Sequence, residues 1–96
     1  MFLHAVLMEL SNEADAAFHA RVERHCEAVR ASCAGLVSYV YGPNQASRAA
    51  GLGWAVVGCF TDAAAHDAYQ VSAAHVAMKT EMAPVIVRLV VLDTQV

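Results

Sequence analysis

Over the first ten residues, apolar positions fill both faces of an alternating pattern. Phe2, Val6, Met8 and Leu10 share one face; Leu3, Ala5 and Leu7 share the other. This predicts a strand covered on both sides. His4 falls on the face of Val6 and Met8, so a polar ring is aimed into an apolar layer. After Ser11 the period becomes helical. Ala14, Phe18, Val22, Cys26, Val29 and Cys33 recur at spacings of three and four, with Glu13, Arg21, Glu23, Arg24, Glu27 and Arg30 largely outside that stripe. Ser11 or Asn12 is the expected N-cap, and Glu13 and Asp15 suit the positive end of the helix. The helix is expected to run to about Ala31 and to stop at Gly35.

Alternation returns at Leu36 to Tyr41, with Val37, Tyr39 and Tyr41 on one face, and ends at Gly42-Pro43-Asn44. Gln45 to Leu52 is a small polar connection. Gly53 to Phe60 is a third strand, with Trp54, Val56 and Gly58 on one face and Ala55, Val57 and Cys59 on the other. Thr61 or Asp62 caps a second helix of about two turns. Val71-Ser72 breaks it, and Ser72 caps a further piece from Ala73 to Ala83 that Pro84 halts. Val85 to Leu92 is the last strand. If it pairs antiparallel with the first, Arg88 lies beside Glu9. The order β-α-β-β-α-β predicts an α+β, ferredoxin-like fold: four antiparallel strands with two helices on one face. The other face is apolar, so a second copy is expected to cover it as a homodimer, with the second and third strands the leading contact.

Ninety-six residues make one domain, residues 1–96. The apolar fraction of 58% is high for so small a chain, even though much of it is Ala, and this strengthens the expectation of a dimer. A net charge of −3 with scattered Lys and Arg excludes a nucleic-acid surface. The apolar runs fall well short of the about 20 residues a membrane helix needs, and the N-terminus lacks a signal peptide's basic leader. Cys26, Cys33 and Cys59 are odd in number and form no C-x-x-C, which fits free thiols in the cytoplasm. No metal site is expected, because the sequence holds no ligand pairs at short spacing.

Three stretches, in this order, resemble the Dabb (stress-responsive A/B barrel) family along essentially the whole chain. They are His4-Ala5-Val6-Leu7-Met8, Gly51 through Phe60-Thr61-Asp62, and Tyr69-Gln70-Val71-Ser72-Ala73-Ala74-His75. In the third, the Tyr and the final His of the family's pattern are kept, while Ser72 and Ala73 stand where a His-Pro is usual. The resemblance implies a dimeric α/β barrel. A plant member is a cofactor-free polyketide cyclase, and its catalytic Tyr and His correspond to Tyr69 and His75. His4 corresponds to a third pocket residue. Another pocket His of that enzyme is replaced here by Trp54.

The candidate chemistry therefore gathers at Tyr69 and His75. His75 lies in a helix's first turn, where the dipole favours the neutral ring, a suitable base for a proton between two carbonyls. Tyr69 is placed to support the enolate. The alternative is structural: the two side chains hydrogen-bond across the helix break and hold it. Besides His4, the residues expected to line an apolar ligand pocket are Val6, Met8, Val22, Cys26 and Trp54, without a cofactor; Met78 and Met82 also suit such a pocket or the core. Three readings follow: a cyclase- or isomerase-like enzyme using a His base, a non-catalytic stress-related binding or assembly module, and a cofactor-free dimeric-barrel monooxygenase. His19, His25 and His66 are expected to be solvated.

Overall fold

A computed structural model describes every residue from Met1 to Val96. Its elements are β1 (Phe2–Leu10), α1 (Ala16–Ser32), β2 (Leu36–Pro43), β3 (Trp54–Phe60), α2 (Ala63–Gln70), α3 (Ala73–Met82) and β4 (Ile86–Gln95). All strand pairings are antiparallel, in the order β2-β3-β1-β4. This is the expected ferredoxin-like arrangement, with the second helix delivered as two pieces.

The stripe of α1 forms the centre of the core. Phe18, Val22, Cys26 and Val29 are fully buried, and they cluster with Met8, Tyr39, Val56 and Phe60 of the sheet and Tyr69, Met78 and Met82 of the broken helix. Gly35 closes the turn after α1 at φ +78°, a conformation that favours glycine. A β-carbon there would also meet Ala65 Cβ at 2.6 Å and Thr61 Oγ1 at 2.8 Å, so Gly35 lets β2 and α2 approach.

Boundaries shift by more than one residue in three places. The N-cap of α1 is Asp15, whose carboxylate accepts from Phe18 N at 2.8 Å, rather than Ser11 or Asn12. Ser11 instead closes a separate turn, accepting Ala14 N on its carbonyl. β2 runs on to Pro43, with Asn44 bonded to the carbonyls of Gly53 and Leu52. β4 continues past Leu92 to Gln95, pairing with the start of β1.

Glu9 and Arg88 face each other in the β1–β4 register, and Arg88 Nε donates to Glu9 Oε1 at 2.8 Å. The exposed large apolar side chains are divided between strands. Val37, Val40 and Val57 lie on the hairpin, whereas Val87, Leu89, Val90, Val91 and Leu92 are all exposed on β4. The apolar surface thus leans toward β4 more than the hairpin alone would have led one to expect.

Candidate functional site

Pleating places Tyr39, Gly58, His4 and Asp93 in one row across all four strands, on the helix-covered face. Gly58 makes the row possible. A β-carbon there would meet the Phe60 ring at 3.0 Å and the Tyr39 ring at 3.2 Å. Above this row lies α2, whose His66 and Tyr69 are three residues apart and therefore point the same way. An otherwise apolar interior thus acquires a band of hydroxyl, imidazole and carboxylate groups.

A cavity of about 300 Å³ opens beside this band. Its floor is His4, Val6 and Met8 of β1, Val56 of β3, and Ile86, Leu89, Val91 and Asp93 of β4. Its roof is Tyr69 and Gln70 of α2 with His75, Met78, Lys79 and Met82 of α3. Leu89 and Val91 face the cavity and yet are about half exposed, because β4 is an edge strand extending beyond the helices.

Of the residues expected to form the site, Tyr69, His75, His4, Val6 and Met8 lie around this cavity, and Met78 and Met82 join them. Val22, Cys26 and Trp54 do not. The inner stripe of α1 packs so closely on the sheet that Val22 and Cys26 have no accessible surface. Burial, aided by Glu23, pushes the Cys26 thiol up to about 11, an inert state for a thiol. Trp54 sits at the other end of the sheet face, stacked on His19 at 3.9 Å and near Tyr41 at 5.3 Å between ring centres. His19 Nδ1 also pairs with the Tyr41 hydroxyl at 2.8 Å.

Tyr69 and His75 come together by ring packing, with centres 4.2 Å apart. Each hydrogen-bonds elsewhere. The Tyr69 and Tyr39 hydroxyls are 2.6 Å apart, and His75 Nδ1–H donates to the Gln70 carbonyl at 3.0 Å. The expected bond across the helix break is therefore replaced by Ser72. Its hydroxyl donates to Tyr69 O at 2.7 Å and accepts from His75 N at 3.2 Å. The His75 tautomer that results has a protonated Nδ1 and a free Nε2 lone pair. Burial is the main cause of its lowered pKa; the Gln70 carbonyl opposes the shift, while Lys79, His4 and His66 add to it. Burial pushes the Tyr69 hydroxyl up to about 12, so it remains a donor at neutral pH. Tyr39 is raised further, again chiefly by burial.

His4 is buried, and its Nδ1–H donates to a carboxylate rather than to the backbone: Asp93 Oδ1 lies at 2.5 Å. His66 corrects the expectation of a solvated ring. Only 3% of it is exposed, and it packs against Phe2, His4 and Phe60 at 4.6–5.3 Å between ring centres. Burial is the main cause of its lowered pKa. His19 is half-buried against Trp54, and His25 is half-buried near Glu81 at 3.7 Å.

A single four-stranded sheet with a broken second helix over a His- and Tyr-lined cavity defines a ferredoxin-like domain. The chain belongs to the Dabb family, the Stress responsive A/B Barrel Domain, which it matches over residues 2–96. No curated protein matches it. Among solved structures, it is similar to a dimeric ferredoxin-like protein of unknown function from Jannaschia sp. CCS1. The TM-score is 0.87 at 22% identity, covering 99% of this chain and 98% of that one. A hydroxynitrile lyase from Passiflora edulis has a TM-score of 0.84 at 15% identity, covering 99% and 92%. A putative antibiotic biosynthesis monooxygenase from Nitrosomonas europaea has a TM-score of 0.82 at 10% identity, covering 100% and 98%. At these identities the likeness establishes the fold alone. No helix is long and apolar enough to cross a membrane.

Proposed function

We propose that the cavity binds an uncharged or weakly polar small molecule and that His75 abstracts a proton from it, in a cyclase- or isomerase-like reaction. The observation that carries this reading is one cavity of about 300 Å³ bordered by both His75 and Tyr69. The step is a proton transfer alone. His75 Nε2 takes a proton from a carbon between two carbonyls, and the electron pair moves onto a carbonyl oxygen. Tyr69 O–H supports that oxygen, with the Tyr39 hydroxyl 2.6 Å from its own. The imidazolium then returns the proton to carbon or to an oxygen formed by ring closure. That a hydroxynitrile lyase adopts this fold supports a small-molecule role for such a cavity. The second reading, a binding module without turnover, draws on a different observation: Tyr69 is only 1% exposed and its hydroxyl is already engaged.

As part of the same proposal, the chain acts as a homodimer through the open sheet face, as similar structures from other organisms are dimeric. Its three free cysteines fit a cytoplasmic setting.

The test is deuterium washout from ethyl 2-methylacetoacetate, whose acidic carbon lies between two carbonyls, followed by proton NMR. The protein is expected to accelerate washout. His75→Ala should lose about 10²–10⁴-fold of that acceleration with its circular dichroism unchanged, the usual share of a general base. Washout equal to a protein-free control, or unchanged in His75→Ala, would overturn the catalytic reading.

A further inference from the structure

We propose that His4, His66 and Asp93 form a three-ligand site for a divalent transition-metal ion of the zinc type, with its remaining position turned to the cavity. Three elements far apart in sequence supply one donor each: His4 Nδ1 from β1, His66 Nε2 from α2 and Asp93 Oδ1 from β4. These atoms all lie within 4.8 Å of one another. Donors held at about 2.1 Å by a tetrahedral ion stand roughly 3.4 Å apart. His66 Nε2 and Asp93 Oδ1 are already near that spacing, at 3.7 Å.

His4 Nδ1 and Asp93 Oδ1 are closer, at 2.5 Å, because the His4 proton bridges them. An entering ion takes the Nδ1 lone pair once that proton has moved to Nε2 through solvent, so the imidazole stays neutral, as a metal ligand must. The carboxylate has room to withdraw by about the 1 Å that the spacing requires, since the Asp93 side chain is 37% exposed near the end of an edge strand.

His66 is the independent observation. Its Nε2 is the one buried side-chain nitrogen or oxygen in the protein without a hydrogen-bond partner, and it is turned toward the Asp93 carboxylate. Buried polar atoms are normally satisfied, so an orphaned ring nitrogen beside a second imidazole and a carboxylate calls for a missing partner. The donor set selects the class of ion. Two imidazoles with one carboxylate suit zinc or ferrous iron, whereas magnesium and calcium prefer oxygen ligands. Phe2, Phe60 and Tyr69 pack around the two imidazoles and form an apolar shell. His4 and Asp93 border the cavity, so an ion on them would be reachable by a ligand carbonyl oxygen.

The test uses the untagged chain after chelation and dialysis. Cobalt(II) is titrated with visible absorption as the readout, and zinc chloride by calorimetry at pH 7.5. One saturable site per chain of micromolar or tighter affinity is expected, with tetrahedral cobalt bands and a higher melting temperature on adding zinc. His66→Leu, which removes an unpartnered polar atom and so keeps the fold, should weaken binding by at least a hundredfold. Asp93→Asn should weaken it too, whereas His25→Ala, which removes the separate His25–Glu81 pair, should not. The proposal fails if the unaltered chain shows no saturable binding. It also fails if His66→Leu binds as tightly, or if His25→Ala is the variant that loses the ion. None of these readouts depends on turnover, so the result stands apart from the proton-transfer reading.

Discussion

His75 couples the site to pH in a direction that its surroundings determine. Its ring is partly buried in the cavity roof, near Lys79, His4 and His66, and only the Gln70 carbonyl favours the charged form. Its folded pKa therefore lies below the ordinary 6.5. A base works when neutral, so the washout rate per unit of protein should rise with pH through that lowered value and stay flat above it. Stability follows the same sign. The unfolded chain binds a proton at about 6.5, whereas the folded chain resists it until lower pH. This contribution is complete above the unfolded value and is lost as pH falls toward the folded one. Melting curves of the unaltered protein and His75→Ala should therefore differ in slope below pH 6.5 and run parallel above it. A difference that grows toward alkaline pH would refute this account. The residue scale is also where sequence reading succeeded and failed most sharply. His4 was legible because alternation alone puts it on the face of Val6 and Met8. His66 was misread as lying on a mixed, solvated helix face. Its spacing of three from the inward-facing Tyr69 was the better signal.

The break between α2 and α3 is the element on which the site turns. Asp62 and Ser72 each cap their helix through a side-chain oxygen, and both caps were legible as polar residues ahead of Ala-rich runs. Ser72 does more than cap, since its hydroxyl ties Tyr69 O to His75 N. Ser72→Ala removes both bonds. It should destabilise the protein by about 1 kcal/mol, the usual loss of an N-cap, or roughly 4–8 °C in melting temperature for a domain of this size. It should also lower the washout rate by more than the folded fraction explains, because the His75 ring is no longer held over Tyr69. Melting and washout measured on the same samples separate the two effects; a drop in stability with an unchanged rate would leave Ser72 a cap only. Asp93 was missed for a reason of the same scale. Ending β4 at Leu92 left it outside the sheet. Yet the register that pairs Arg88 with Glu9 carries on without a slip to pair Asp93 with His4. The cavity itself was less legible, because its width depends on how far α3 stands from β4, and no periodicity encodes that distance. Val22 and Cys26 have the right polarity for a pocket wall but sit where α1 closes completely on the sheet.

The whole molecule is asymmetric in its covering: helices lie on one side of the sheet and none on the other. Val40, Val57, Val90 and Leu92 project from the uncovered face with 38–58% of their surface exposed. A contiguous apolar face of this kind is what a two-fold interface buries. Val57 is the sharpest probe, since β3 is an interior strand and its register places Val57 between Ala5 of β1 and Val40 of β2. In a dimer packed face to face, Val57→Glu would bury one carboxylate per protomer without a partner, a strongly unfavourable change. In the isolated chain the same carboxylate faces water and disturbs little. Light scattering on the unaltered chain should therefore give about twice the 10.2 kDa mass of one copy, and Val57→Glu should give one. The melting temperature of the unaltered chain should rise with protein concentration, and that of the variant should not. A unaltered chain that scatters as a single copy at tens of micromolar, with a concentration-independent melt, would mean that the apolar face has some other occupant.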